Sequence, residues 1–436
     1  IAAEAAPAAR TLGGQLRLEY TNRDSAALDR LYFHLYPNLP DFGGRLDVRN
    51  VAVDGAPAEV VYETRRYLLR VNLPQPTTVA PSAPPPDASP RPAADPRFIE
   101  SLHEPGGSMR LNSDMYIERD ADRRLQREMS KPEGTTITIR APRQAGKTSL
   151  LMRGISQAQK AGSKIVRIDM QALDERVTQN LDSCLRYLAE LIFRSLRLDT
   201  TLVEQGWKSS LGAPDKTTYL MEDHVLPLGT NIVLAIDEAD RLLSTSFHDT
   251  FFGLLRFWHN NRAMSEDWDR LDILMVISTE PHLLISDVSQ SPFNVGTKLV
   301  LPDFTAAQVA ELNGRYRSPL TDTELPEMLA LLGGHPYLSN RALYTILNEQ
   351  VTWQQLSANA TSPQSPFYDH LKRFLWMLRD KPDLVEALRE IIARGRCPDE
   401  VAFYRLMQAG LIQGADSQSC ACRCTLYERY LKDKLQ

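Results

Sequence analysis

Residues 141–148 read Ala141-Pro142-Arg143-Gln144-Ala145-Gly146-Lys147-Thr148. They follow a short β-branched run ending at Ile137–Arg140 and precede a helical stretch that begins near Ser149. Strand, loop and helix in that order are the context of a phosphate-binding loop, or P-loop. Its chemistry is anion capture: the backbone N–H groups of Arg143, Gln144, Ala145, Gly146 and Ser149, with the helix N-terminus, would face phosphate oxygens. Lys147 would set a point charge at the β- and γ-phosphates, and Thr148 would give its hydroxyl to Mg²⁺. Gly146 lets the backbone approach closely. Ala141 stands where the GxxxxGK[ST] pattern has its first glycine. That glycine serves the turn more than phosphate contact, so the change is expected to be tolerated.

A second signal lies 90 residues beyond Lys147, where the apolar run Ile232–Ile236 ends in Asp237-Glu238. A buried strand that delivers adjacent carboxylates at its C-terminal tip is a Walker B strand. Asp237 would hold Mg²⁺ through water, and Glu238 would orient or activate the attacking water. The competing reading is a solvated strand end. A third run, Ile273–Ile277, ends in Ser278-Thr279-Glu280. Ser278 and Thr279 either sense the γ-phosphate or are simple strand-end polarity. Gly333-Gly334-His335-Pro336-Tyr337-Leu338 reads, as bare sequence, as a turn that opens a helix.

These groups need elements to hold them. Thr136–Ile139, Lys164–Asp169, Ile232–Asp237, Ile273–Ser278 and Lys298–Leu301 are near-continuous apolar or β-branched runs. That is the pattern of a parallel sheet buried on both faces. Between them lie amphipathic helices, one carrying Leu181, Leu185, Leu188, Ile192 and Leu196 at helical spacing. The fold class expected is therefore α/β, with a P-loop core over residues 98–305. Helical segments follow at Ala306–Tyr316, Leu325–Leu332, Tyr337–Glu349 and Asp369–Leu378, giving a helical lid over 306–379. Residues 380–436 read as helix, helix and hairpin (Asp383–Ala393, Asp399–Gln408, Leu411-Ile412 with Ser419–Thr425), the order of a winged helix.

Upstream the pattern differs. Leu16–Tyr20, Leu31–Tyr36, Val48–Val53 and Tyr67–Val71 are short strand-like runs separated by Gly, Pro and Asp turns, a small β domain over 1–74. About seventy residues is marginal for independent stability. Nine prolines between Pro74 and Pro96 favour extended polyproline II, so 75–97 reads as a linker.

Composition bounds the partners. The chain has 436 residues, 50 Lys+Arg against 55 Asp+Glu and a net charge of −5, so a whole-protein basic field for nucleic acid is excluded, though a local patch is not. No run of about eighteen apolar residues occurs, so no transmembrane helix is expected. Five cysteines argue against a disulfide-built module. The first residue is Ile1, so the expectation is a processed or truncated product.

From Phe98 to Gln436 the chain resembles bacterial AAA-like proteins of the STAND type. The resemblance rests on Met115-Tyr116-Ile117-Glu118-Arg119, on 141–150, on Leu234–Arg241, on Phe252–Arg256, on Ser291–Gly296 and on Gly333–Leu338. It implies a sheet in which the Walker B strand is not adjacent to the P-loop strand, followed by a helical lid and a winged helix. It makes Pro336 a base-pocket residue, with Tyr116 a second. Many relatives carry arginine after the sensor position, where this chain has Glu280. That removes a cis arginine sensor there and makes slow hydrolysis the expectation. Residues 31–38, 51–55 and 73–76 resemble the N-terminal β domain of gluzincin aminopeptidases. No H-E-x-x-H is present, so no metal chemistry carries over. Such domains usually sit outside the cytoplasm, whereas an ATP-dependent protein is expected in it; a fused or rearranged gene would reconcile the two.

Several features are read as structural. Cys420, Cys422 and Cys424 on a strand would pack one face of the wing. Phe247, Phe251, Leu254, Leu255 and Trp258 make a core stripe. Residues 381–436 hold nine Lys/Arg and eight Asp/Glu, no footprint for a duplex. The reading is an ATP-binding, Mg²⁺-dependent STAND-type switch in signalling or conflict with foreign elements, with a protein partner or a second copy as its target. A nucleotide-gated scaffold without useful turnover and a DNA-associated ATPase are the alternatives.

Overall fold

The computed structural model describes residues 2–6, 11–15, 28–34, 46–54, 56–63, 68–77, 95–278 and 295–435. The chain divides into two compact units, Ile1–Ala93 and Ala94–Gln436.

In the first unit Leu28–His34, Leu68–Thr77 and Val60–Glu63 form an antiparallel sheet with the longest strand in the middle. Leu69 and Val71, two residues apart and so on one face, are buried against Phe33, Val51, Val60 and Tyr62. Within the alternating run Val48–Val53 the strand covers Ala52–Val53, paired with Ala56–Pro57, and the Val51 carbonyl accepts the Ala58 N–H at 2.9 Å. Asn50 interrupts it with a left-handed backbone, φ 55°. The Tyr62 hydroxyl accepts the Val48 N–H at 2.6 Å in place of a strand partner. A separate hairpin pairs Ala2–Ala6 with Thr11–Gln15. The strand expected over Leu16–Tyr20 lies outside the described residues. The central strand continues through Pro74 and Pro76 to Thr77, inside the stretch expected to begin the linker.

The second unit is built on a five-stranded, wholly parallel sheet in the order Thr297–Val300, Thr136–Arg140, Leu271–Ile277, Ile232–Asp237, Lys164–Asp169. All five expected strands are present. One strand separates the P-loop strand from the acidic strand, as the resemblance implied. The two inner strands Ile232–Asp237 and Leu271–Ile277 each feed two cores. Ile232, Leu234 and Ile236 join a cluster with the helices Leu181–Leu196 and His248–Asn261. Val233 and Ala235 join the opposite cluster with Lys147–Lys160 and Asp120–Met129. Period-two alternation is present, but both faces are apolar, so the strands read as continuous runs. The Phe251, Leu254, Leu255 and Trp258 stripe is core, as expected.

Past the sheet the chain is helical: Ala306–Arg315, Glu324–Leu332, Pro336–Asn348, Trp353–Ala358, Tyr368–Leu378, Pro382–Arg394 and Glu400–Gln408. An antiparallel hairpin, Ile412–Asp416 with Ser419–Cys422, precedes a last helix, Thr425–Lys434, which the sequence reading did not include. That helix takes over where the second strand was expected to run to Thr425. Leu426, Tyr427, Tyr430 and Leu431 give it a buried face at helical spacing. A single hydrophobic cluster runs from Val309 to Leu431 and includes Cys397, Cys420, Cys422 and Cys424. The segments expected as lid and tail therefore share one core. Arg423 anchors this core to the end of the sheet: its Nε and a terminal guanidinium nitrogen donate to the two carboxylate oxygens of Asp303, at 2.9 and 2.5 Å.

At the opposite end of the sheet, Asp272 is buried and accepts the Thr135 N–H at 2.7 Å. Burial pushes its carboxyl up to about 6 despite that bond and the nearby Arg262. The folded form therefore resists ionisation more than the unfolded chain does. Below the ordinary carboxylate range both states are protonated and no penalty exists; the penalty grows as pH rises above that range and is complete above about 6, at on the order of 3 kcal/mol. Asp272→Asn keeps an acceptor for Thr135 without the charge. Its melting temperature is expected to match the wild type near pH 3 and to exceed it at pH 7, as measured by thermal denaturation at both.

Candidate functional site

The P-loop leaves the sheet at Arg140. Its left-handed residues are Gln144, φ 60°, and Gly146, φ 94°. Ala141 is not among them, which is the physical reason a first glycine is dispensable here. Arg119, itself buried, braces the loop from behind by donating to the Ala145 carbonyl at 2.9 Å. A Cβ on Gly146 would meet that guanidinium at 2.9 Å. Lys147 opens the helix Lys147–Lys160 and is 5% exposed. Its ammonium donates to the Pro142 carbonyl at 3.0 Å. Burial lowers its pKa, against the opposing pull of Glu238, Asp240 and Asp237.

The acidic strand tip lies across the cleft. Thr148 Oγ1 donates to Asp237 Oδ1 at 3.4 Å, a long contact with room for a cation to draw both groups. Asp237 is buried, and burial raises its pKa, with Asp169 adding repulsion and Arg167, 3.7 Å away, opposing it. Glu238 takes a left-handed backbone, φ 51°, and its N–H is donated to Asp237 Oδ1 at 3.1 Å. That strained turn aims consecutive carboxylates differently: Asp237 toward Thr148, Glu238 into the cavity. Burial and the nearby Asp240 raise the Glu238 pKa.

A cavity of about 1070 Å³ spans the loop and the helical region. Arg143, Gln144, Ala145, Gly146, Lys147, Thr148, Ser149, Glu238, Tyr116 and Pro336 all line it. Ser149 also has a second partner: its hydroxyl accepts the Met109 N–H at 2.9 Å, tying down the segment before the loop. The Tyr116 hydroxyl donates to Asp122 at 2.5 Å, so only its ring faces a ligand, and Arg153 lies 3.3 Å over that ring. Ser278 does not line the cavity, and its buried hydroxyl has no partner among the described residues. Thr279 and Glu280 lie outside the described residues. Pro336 is the first residue of its helix, preceded by Gly333 and Gly334, both left-handed.

Three groups linked to the loop residue Gln144, namely His370, Arg373 and Tyr427, had no signature in the sequence. Gln144 Oε1 accepts from His370 Nδ1 at 2.5 Å and from Arg373, both on the helix Tyr368–Leu378. His370 Nε2 in turn meets the Tyr427 hydroxyl at 2.6 Å, on the last helix. Burial, with Arg373 and Arg423 nearby, pushes the His370 pKa down to about 3, so the ring is neutral. These partners give Nδ1 the proton and leave Nε2 to accept from the phenol. Arg373 also lines the cavity, where burial and the nearby Arg143 lower its pKa against the pull of Asp369.

The residues present fit a nucleotide and Mg²⁺. A helix N-terminus, two guanidiniums and a buried ammonium whose hydrogen-bond partner among the described residues is a carbonyl together call for a polyanion. Among the described residues no group of three His, Cys, Asp or Glu could hold a metal by itself. A Mg²⁺ beside Thr148 and Asp237 would take its other ligands from phosphate and water, as that ion commonly does.

The parallel sheet order, the loop at the end of one inner strand and the acidic tip at the end of another define a P-loop nucleoside-triphosphatase fold. The chain belongs to the AAA-like domain family, whose model matches residues 104–433. It is 30% identical over 249 residues to an uncharacterized WD repeat-containing protein of Synechocystis, a match covering 55% of this chain and 20% of that protein. The chain thus spans about a fifth of that relative's length. Among solved structures it is similar to ORC2 of Aeropyrum pernix in ADPNP and ADP complexes (15% identity, TM-score 0.41, covering 78% of this chain and 99% of that one). It is similar to ORC1 of the same organism in complex with DNA (14%, TM-score 0.39, 74% and 94%). It is also similar to AMPPCP-bound DnaA of Aquifex aeolicus (15%, TM-score 0.33, 64% and 72%).

The glycine turn before Pro336 gives a sharp test. At Gly334, φ 71°, a Cβ would sit 2.2 Å from the Phe304 carbonyl oxygen. Gly334→Ala is expected to cost about 2 kcal/mol or more. Gly106→Ala, where nothing lies within 4 Å, is expected to stay within about 0.5 kcal/mol of wild type. Denaturant unfolding of both variants reads the difference.

Proposed function

We propose that this protein is an ATP-binding switch of the STAND type with slow, Mg²⁺-dependent hydrolysis. The observation that carries the reading is Lys147: a buried cation held by a loop carbonyl, at the N-terminus of a helix, across a cleft from Glu238. In this reading the amides of 143–149 and Lys147 bind the triphosphate, and Thr148 and Asp237 hold Mg²⁺. The bound ion supplies charge neutralisation at the β- and γ-phosphate oxygens. Glu238 positions the attacking water. Its burial-raised pKa makes it a better proton acceptor than an exposed carboxylate at neutral pH. Tyr116 and Pro336 flank the base; Ser278, which does not line the cavity, is given no phosphate contact. Arg143 and Arg373 add positive charge at the phosphates.

The switch is supported by the link from Gln144 through His370 to Tyr427. A phosphate that draws Gln144 or Arg373 breaks hydrogen bonds inside the helical core. Nucleotide state then biases how the C-terminal helix–hairpin–helix segment, proposed as a winged helix, packs. What that segment presents to a protein partner or a second copy would change with it.

Binding of a fluorescent ATP analogue with Mg²⁺ tests the site. Wild type is expected to saturate and Lys147→Ala to lose at least about tenfold in affinity, the loss of a charge-assisted contact. Glu238→Gln is expected to keep binding and lose phosphate release by about 10²-fold or more. Binding with no release in the wild type would favour a nucleotide-gated scaffold. His370→Ala cuts the link to Tyr427. It is expected to leave nucleotide affinity within about threefold while increasing proteolysis of the 380–436 segment with nucleotide bound. Unchanged protection in that variant would sink the switch.

A further inference from the structure

Between the helix Pro96–Ser101 and the helix Asp120–Met129 the chain forms no helix or strand. It starts against the helical region: the Arg317 guanidinium lies 4.4 Å over the ring of Phe98, and Arg341, on the helix Pro336–Asn348, donates to the Glu104 carboxylate. It then crosses to the P-loop helix. There the Met109 N–H donates to Ser149 Oγ at 2.9 Å, and Arg153 donates to the Arg110 carbonyl at 3.1 Å. It returns to the helical region where Arg315 donates to the carbonyls of Asp114 and Tyr116, at 2.6 and 2.8 Å. Residues 104–110 all line the cavity.

This crossing is held at its ends and nowhere between. Among the described residues, Pro105, Gly106, Gly107 and Ser108 make no hydrogen bond. A Cβ on Gly106 or Gly107 would meet nothing within 4 Å, and Gly107 takes φ 63°. Few contacts and a left-handed glycine give the stretch the character of a hinge. Five Cα steps, from Glu104 to Met109, reach at most about 17 Å. With both ends attached, the P-loop helix and the helical region cannot part beyond that span at this edge of the cavity. The two ends are held differently. Ser149 is buried, whereas the Glu104 side chain is 64% exposed. An ion pair that water reaches is weak and opens first.

We infer that residues 104–110 are a strap that gates nucleotide exchange, latched to the helical region by the Glu104–Arg341 ion pair. This rests on the nucleotide reading of the site. With the latch closed, the strap walls the cavity from the helical region to the P-loop helix. With the latch open, the arm from Glu104 to Ser108 swings on the two glycines while Met109 stays on Ser149, and the nucleotide passes. Arg341 itself does not line the cavity. Removing it changes how often the strap opens, not what the nucleotide touches, so entry and exit accelerate together.

The test uses the full chain and a fluorescent ADP analogue. Its dissociation is timed by chase with excess unlabelled ADP, and its association is timed over a range of protein concentrations. Arg341→Gln is expected to speed both by about threefold, with the dissociation constant within about twofold of wild type, the scale of one exposed ion pair. Glu104→Lys, which sets like charges together, is expected to speed both by more. The exchanged pair, Glu104→Lys with Arg341→Glu, is expected to return both rates toward wild type. Melting temperatures check that each variant folds. Unchanged rates in both single variants overturn the inference while the nucleotide site stands. Faster dissociation with unchanged association also overturns it, because it makes the pair part of the binding contact and not a gate. Absence of any nucleotide binding in the wild type overturns both readings.

Discussion

A lysine charge held in a nearly closed site, with a carbonyl rather than a carboxylate as its contact, is the constraint around which the second unit is arranged. Burial disfavours that ammonium, and the field of Glu238, Asp240 and Asp237 opposes that effect. Those acids must be near enough to hold the proton on and far enough to leave the space in front of it open. The sheet order supplies the separation. One strand stands between the loop and the acidic tip, so Thr148 and Asp237 approach to 3.4 Å at the edge of the cleft while Glu238 turns into it. Arg119, bonded to the Ala145 carbonyl, and the left-handed Gln144 and Gly146 then fix the course of the loop.

The same loop is not independent of the C-terminal region. Gln144, one of its left-handed residues, is bonded by side chains of a helix more than two hundred residues away, and through His370 by the last helix. Arg423 and Asp303 tie that helical core back to the end of the sheet. Since the region from Val309 to Leu431 shares one hydrophobic cluster, a local change at Gln144 is opposed by packing over the whole of it. The proposed switch relies on this, since a packed core shifts between discrete arrangements rather than deforming smoothly.

Much of the sheet and loop was legible because the signals are local. Ile232–Asp237 and Leu271–Ile277 are buried on both faces, and their continuous apolar runs say so without reference to anything distant. The loop carries its own pattern. The final helix was missed because its start, Thr425, follows a cysteine strand with the same alternation of buried residues, and no capping side chain marks the change. Val48–Val53 was overextended because a single left-handed residue, Asn50, leaves no trace in hydropathy. Arg119 was visible only as part of a motif, and its role behind Ala145 depends on where the loop folds.

By itself, the sequence determined the α/β class, the strands and the loop with its lysine, threonine and paired acids, because each depends on neighbours within about one element's length. Tertiary structure alone decided which of these groups meet. It set Ser278 away from the cavity and brought Arg373 into it. It spent the Tyr116 hydroxyl on Asp122 and joined Gln144 to His370 and Tyr316 to Asn340. Such pairs are hydrogen bonds between single side chains on different elements. They have no periodicity, and no spacing along the chain encodes them.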